Sequence, residues 1–292
     1  MVSKKRFSII GGDIRQIYAA KELEKRGHDV YVCGFKDLDN KKYKSLDIIE
    51  AIDKSDYIIL PLPITRDEIH LNAPFSSHVI EINDDLISKC KNKVIFGGIV
   101  TSLSERVKNS TIKLKDYYDR EDFMILNAIP TAEGAIRVAL EEYKNTLWNS
   151  KVLVVGYGRI GKVLADRLKG IGANVTVSAR NPRDIAWAYS NNFETINISE
   201  IDSELDFDII FNTVPKKILV YENMKLIKNC KLIIDLASLP GGVDKDSAKK
   251  LGIEVINALG LPGKFFPECA GRIIVDTIFK IIQEENLWVI YV

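Results

Sequence analysis

Histidine and cysteine are scarce in this sequence. Its 292 residues include three histidines and four cysteines, and Cys33, Cys90, Cys230 and Cys269 stand far apart with no C-x-x-C pair. A zinc cluster or disulfide scaffold therefore has no support, and no metal site is expected. An excess of charge is missing too. With 41 basic against 40 acidic residues, the chain lacks the strongly basic balance that a nucleic-acid partner favours. No apolar run nears the roughly 20 residues that span a bilayer, and the opening MVSKKRFSII passes straight into Gly11-Gly12-Asp13. A soluble, cytoplasmic protein is expected, with neither nucleic acid nor membrane as partner.

What is present is a doubled alternation. Short β-rich apolar runs at 7–10, 30–33, 57–60, 94–96 and 124–126 are separated by amphipathic stretches such as 16–26. Strands that read as unbroken apolar runs belong in parallel sheets covered by helices on both faces. The pattern restarts with runs at 151–155, 174–178, 209–211, 232–235 and 254–256. The fold class is thus α/β, with two tandem Rossmann-like, doubly wound parallel-sheet domains and a cleft between them. The boundaries are set at 1–129 for a substrate domain and 130–271 for a nucleotide domain. A last amphipathic helix from about 271 to 285, within the segment 272–292, is expected to return to the first domain. Between the halves, Pro130-Thr131 reads as the start of a helix running to about 147.

Dinucleotide binding is the best-supported chemistry. A strand leads into Gly156-Tyr157-Gly158-Arg159-Ile160-Gly161 and then an amphipathic helix. In such a turn the first glycine permits a tight bend, the second clears space for a pyrophosphate, and the third lets helix and strand pack. The next strand ends in Ser178-Ala179-Arg180-Asn181-Pro182-Arg183, without the carboxylate that would bind a ribose 2′-hydroxyl. Ser178, Arg180 and Arg183 suit a 2′-phosphate instead, which favours NADP as cofactor. The alternative is that both arginines are solvated surface charges. Thr213-Val214-Pro215 and Leu236-Ala237-Ser238 follow later strands of this half and are expected to line the cofactor crevice, unless Thr213 and Ser238 simply cap helices.

Substrate candidates lie at other strand ends. Arg15 can hold an anion if it faces the cleft, with Asp13 as a helix cap beside it. Thr65, Thr101 and Ser102 occupy equivalent loops. Thr131 and Gly134 at the expected helix start can hold a carboxylate, and Glu133 is the proton-transfer candidate, so Glu133 and Thr131 are the catalytic pair. A first-turn glutamate is also common because it suits the helix dipole. All three histidines, His28, His70 and His78, lie in the first half, so the nucleotide half lacks a histidine acid/base of the 2-hydroxyacid dehydrogenase kind.

Five elements together, Gly11-Gly-Asp-x-Arg15, Asn127-x-x-Pro-Thr-Ala-Glu-Gly-Ala, the turn from Gly156 to Gly161, Ser178-Ala-Arg180 and Gly260-Leu-Pro-Gly263, resemble the family of dipicolinate synthase A subunits. The resemblance implies a sporulation enzyme of the mother-cell cytoplasm that oxidises dihydrodipicolinate, or its hydrated form, to dipicolinate with NADP⁺ as hydride acceptor. It implies the flavoprotein-like B subunit of dipicolinate synthase as partner; a small dicarboxylate substrate and a homo-oligomer are expected. The sequence departs from the family pattern after Pro267, where Glu268-Cys269 replaces Lys-Thr. Two other readings stand beside this one: an NADP-binding scaffold or sensor without a complete active site, and a general NADP-dependent imino- or hydroxy-acid dehydrogenase.

Overall fold

The computed structural model describes residues 4–36, 46–200 and 203–287. The chain divides into two units, one formed by Met1–Leu126 with Phe266–Val292 and the other by Asn127–Phe265.

The first unit alternates strand and helix: β1 (Arg6–Ile10), α1 (Ile14–Lys25), β2 (Asp29–Cys33), α2 (Ile48–Lys54), β3 (Tyr57–Ile59), α3 (Asp84–Lys89), β4 (Val94–Gly97), α4 (Thr101–Val107) and β5 (Lys113–Asp116). Its sheet is parallel in the order β2-β1-β3-β4-β5. Both faces are covered, which is why the inner strands β3 and β4 are apolar throughout. Phe7, Ile9, Tyr57 and Ile59 pack under α1 and the C-terminal helix Pro267–Glu284, while Ile10, Ile58 and Ile95 face Ile52 and Leu103. α1 starts at Asp13, whose carboxylate accepts from Arg15 N at 3.0 Å while Gln16 Oε1 accepts from Asp13 N at 3.1 Å. This reciprocal cap fixes where the chain leaves β1.

The run at 124–126 is not a strand. It lies in α5 (Glu121–Glu142), a helix that contains Pro130 in its interior, so Pro130-Thr131 does not begin the helix. The fifth strand is instead β5, reading KLKD. α5 also corrects the expectation that nothing is long and apolar enough to cross a membrane, since by length and composition it is. Its apolar content is used inside: Phe123 is buried in the core of the first unit, and Ala132, Ala135 and Ala139 in that of the second. The C-terminal helix ends at Glu284, and the positions 288–292 assigned to it lie outside the described residues.

The second unit continues with β6 (Lys151–Val155), α6 (Arg159–Gly170), β7 (Asn174–Ser178), α7 (Pro182–Ser190), β8 (Glu194–Ile196), the short pair β9 (Leu205–Asp206) and β11 (Ile227–Lys228), β10 (Ile209–Asn212), α8 (Tyr221–Met224), β12 (Leu232–Asp235), α9 (Lys245–Lys250), β13 (Glu254–Asn257) and α10 (Leu261–Phe265). Its six-stranded parallel sheet has the order β13-β12-β10-β6-β7-β8. The chain reverses direction across the sheet between β6 and β10, and ligands of open α/β sheets bind at such a switch point, outside the carboxyl ends of the strands.

Candidate nucleotide-binding site

The glycine turn sits at that switch point. Gly156 has φ +95°, and a Cβ there would stand 2.7 Å from Val214 Cγ2 and inside contact distance of Thr213 Oγ1. A Cβ on Gly161 would overlap the carbonyl of Gly156. Both glycines are therefore demanded by the chain itself. Gly158 is different: its φ is −80°, and a Cβ on it would meet nothing within 4 Å. Nothing in the chain requires a glycine there. No side-chain hydrogen bond caps α6, whose first turn is Arg159, Ile160 and Gly161. Tyr157 is a core residue, 4% exposed, with its ring 6.0 Å from that of Phe193, and burial raises its phenol above the ordinary value.

An open cavity of about 440 Å³ begins at this turn, and Gly156, Tyr157, Gly158, Thr213, Val214 and Pro215 are in its wall. So are Ser178, Ala179 and Arg180. Ser178 is buried, and its Oγ accepts from Ile198 N at 3.2 Å, so the hydroxyl is already engaged in holding the loop after β8. Arg180 is exposed at the cavity. Arg183 is outside the wall, with Nε 3.6 Å from Asp184 Oδ1, while Asp184 itself lies in it. Leu236, Ala237 and Ser238 are not in this wall; the first two are buried and Ser238 is exposed. Thr213 does not cap a helix, for its hydroxyl donates to Val155 O at 2.9 Å.

Asn197, Ser199 and Lys216 also line the cavity and were not singled out from sequence. The first two follow β8, a short edge strand with no apolar run to mark it. Lys216 adjoins Pro215 and was legible as the next cation along.

The substrate candidates are more dispersed. Arg15 sits after β1, at the switch point of the first sheet, and is only 12% exposed; it forks onto Asp13 at 2.8 and 2.9 Å and donates to Leu62 O at 2.8 Å. Thr65 is occupied by turn chemistry with Asp67, whose Oδ2 also stands 2.7 Å from His70 Nδ1. Thr101 and Ser102 open α4, just after Ile99, which has φ +59° and whose N–H, with that of Val100, is held by the Asp116 carboxylate.

Thr131, Glu133 and Gly134 lie inside α5 and not at its free end, so no uncapped N–H groups gather there for a carboxylate. The Thr131 hydroxyl donates to Asn127 O at 2.7 Å, and Glu133 Oε1 accepts from Arg167 Nε at 3.1 Å. Gly134 is explained by packing, because a Cβ on it would stand 2.8 Å from Leu261 Cβ.

The sheet order and the glycine turn at its switch point are those of a dinucleotide-binding domain, and residues 129–239 match the family model for the D-isomer specific 2-hydroxyacid dehydrogenase NAD binding domain, which supports a nicotinamide-nucleotide oxidoreductase. Residues 6–118 match the N-terminal domain of the dipicolinate synthase A subunit. The A subunit of dipicolinate synthase from Bacillus subtilis (strain 168) is 33% identical over 290 residues, covering 97% of this chain and 98% of that one. The crystal structure of the A chain from Bacillus subtilis superposes with TM-score 0.83 at 32% identity over 98% of both chains. That of the A subunit from Bacillus halodurans gives 0.84 at 32% identity, covering 97% of this chain and 99% of that one. The chain belongs to the family of dipicolinate synthase A subunits.

Proposed function

We propose that this chain oxidises dihydrodipicolinate, or its hydrated form, to dipicolinate during sporulation, in the mother-cell cytoplasm, with the flavoprotein-like B subunit of dipicolinate synthase as its partner. The observation that carries the reading is likeness to a dipicolinate synthase A subunit along 97% of the chain. NADP is the cofactor on this reading, supported by the exposed Arg180 in the cavity wall and by the lack of an acid at the end of β7. The open first turn of α6 holds the pyrophosphate, Gly158 gives it room, and Arg180 with Arg183 takes the 2′-phosphate. When bound, NADP⁺ supplies the hydride acceptor.

Loss of a hydride and a proton from the dihydro ring leaves an aromatic pyridine, the hydrated form losing water as well, so holding the substrate in one orientation matters more than a strong base. Arg15, kept rigid by Asp13 and the Leu62 carbonyl, is the cation offered to a substrate carboxylate, with Thr65, Thr101, Ser102 and Thr131 as further polar contacts. Glu133 is the proton acceptor on this reading and must exchange Arg167 for substrate. That both catalytic candidates, Thr131 and Glu133, already have partners within the chain favours a second reading, in which the chain is an NADP-binding scaffold whose active site is completed by its partner.

Formation of NADPH from dihydrodipicolinate, followed by absorbance with the chain alone and with the B subunit added, separates the two. Turnover by the chain alone supports the first reading; NADP⁺ binding with turnover only when the B subunit is present supports the scaffold. Turnover of simple hydroxy acids would count against both.

A further inference from the structure

The loops that follow β10 and β12 are tied together beneath the surface by one pair of polar side chains. Asn212 ends β10 and Asp235 ends β12, and the two are register partners. They are 0% and 2% exposed, in strands otherwise filled with isoleucine, leucine and phenylalanine. Polar groups so deeply buried are expected to have partners, and here nearly every partner lies in a loop. Asp235 Oδ1 accepts from Asn212 Nδ2 at 2.8 Å and from Ala237 N at 3.1 Å, and Oδ2 accepts from Gly242 N at 3.1 Å. Asn212 Nδ2 also donates to Val214 O at 3.0 Å, while its Oδ1 accepts from Val214 N at 3.2 Å.

The neighbouring glycines are shaped to this pair. Gly241 has φ +88°, and a Cβ on it would stand 2.7 Å from Asp235 Oδ2; a Cβ on Gly242 would overlap Asn212 Nδ2 and Val214 O. Val214, held from both sides by Asn212, lines the cavity and is among the atoms that a Cβ on Gly156 would strike. The sheet itself is held by Val154, Ile210, Phe211 and Ile233 and their neighbours. Loss of the polar pair should therefore release the loops before the sheet.

We infer that Asp235 is a positioning residue: through Asn212 it sets the loop 213–216 against the glycine turn and so shapes the cavity wall that this loop and the turn share. The inference rests on the reading of this cavity as the NADP site. Asp235 itself is not in the cavity wall.

The test uses the full chain and Asp235→Asn, which keeps the volume but turns an N–H toward loop N–H groups. Each protein is titrated with NADP⁺ and with adenosine 2′-monophosphate, which lacks the 5′-phosphate and so probes the Arg180 end alone. The variant is expected to bind NADP⁺ roughly tenfold or more weakly, since buried donors lose their acceptor, with adenosine 2′-monophosphate changed by less than about twofold. Unchanged NADP⁺ affinity overturns the inference, and equal weakening of both ligands reduces the pair to a fold-holding role and also overturns it. Hydrogen exchange on the unaltered protein is independent of how the variant folds: the Val214, Ala237 and Gly242 amides should be protected like those of the sheet, and rapid exchange at all three overturns the clamp. An unaltered chain that binds neither ligand while those amides stay protected removes the cavity reading, and with it the role assigned to the pair.

Discussion

The Thr213 hydroxyl donates to the Val155 carbonyl at 2.9 Å, and its oxygen stands where a Cβ on Gly156 would have to go. One glycine is thus set by a neighbouring loop and a second, Gly161, by the carbonyl of Gly156, whereas Gly158 answers to nothing in the chain.

The three glycines should separate by experiment. Gly158→Ala is expected to change stability by no more than about 0.5 kcal/mol and to weaken NADP⁺ binding by at least about tenfold, since the new methyl group enters ligand space. Gly161→Ala forces a methyl onto a backbone carbonyl and should cost about 1–3 kcal/mol or more, measured by denaturant unfolding. Unchanged NADP⁺ affinity in Gly158→Ala would remove the pyrophosphate from this turn.

Arg180→Ala should discriminate between cofactors. A charge-assisted hydrogen bond contributes about 1.5–3 kcal/mol, so the dissociation constant for NADP⁺ is expected to rise by roughly 10- to 100-fold while that for NAD⁺ changes little. Calorimetric titration reads both. Equal affinity of the unaltered chain for the two cofactors would count against the phosphate role of Arg180.

Glu133 can be tested against its ion-pair partner. Glu133→Gln should lower kcat by about 10²-fold or more if the group accepts the proton, whereas Arg167→Ala, which only frees Glu133, should leave kcat within about threefold. Small, equal losses in both variants would leave Glu133 a helix-pairing residue and strengthen the scaffold reading.

Asp122 gives the first unit a dependence on acid. The Arg120 guanidinium at 2.8 Å, with Lys280 at 3.1 Å, holds its carboxyl below the usual aspartate range. Its native value is lower than its unfolded one, so its contribution is present above the ordinary value of about 3.9 and is lost as pH falls through the native value. The group is 35% exposed, so screening keeps the effect modest. Thermal midpoints followed from neutral pH to about pH 2 should fall more steeply for the unaltered chain than for Asp122→Asn, converging at the acid end. Parallel curves would show that the pair contributes nothing.

Legibility in the sequence followed burial. Strands covered on both faces, such as β1 and β6, announced themselves as apolar runs, and the glycine turn could be placed because strand and helix flank it. β5 was missed because it is an edge strand whose side chains are Lys, Leu, Lys and Asp; lysine is what an exposed edge favours. The three apolar residues at 124–126 fit strand or helix equally, and the long-range packing of α5 decided for helix. Pro130 misled because its ring is well suited to a helix start, yet here the helix runs through it.

By itself the sequence determined the α/β class, the doubled alternation and the nucleotide turn, since these depend on periodicity and on glycine at fixed spacing, which are local properties. Only the tertiary structure decided that Ser178 is spent on Ile198, that Glu133 is paired with Arg167, and that Asn212 and Asp235 lie side by side. Each of these joins residues 20 or more positions apart. A polar side chain's role is set by which partner the fold brings within hydrogen-bonding distance, and no local pattern encodes that distance.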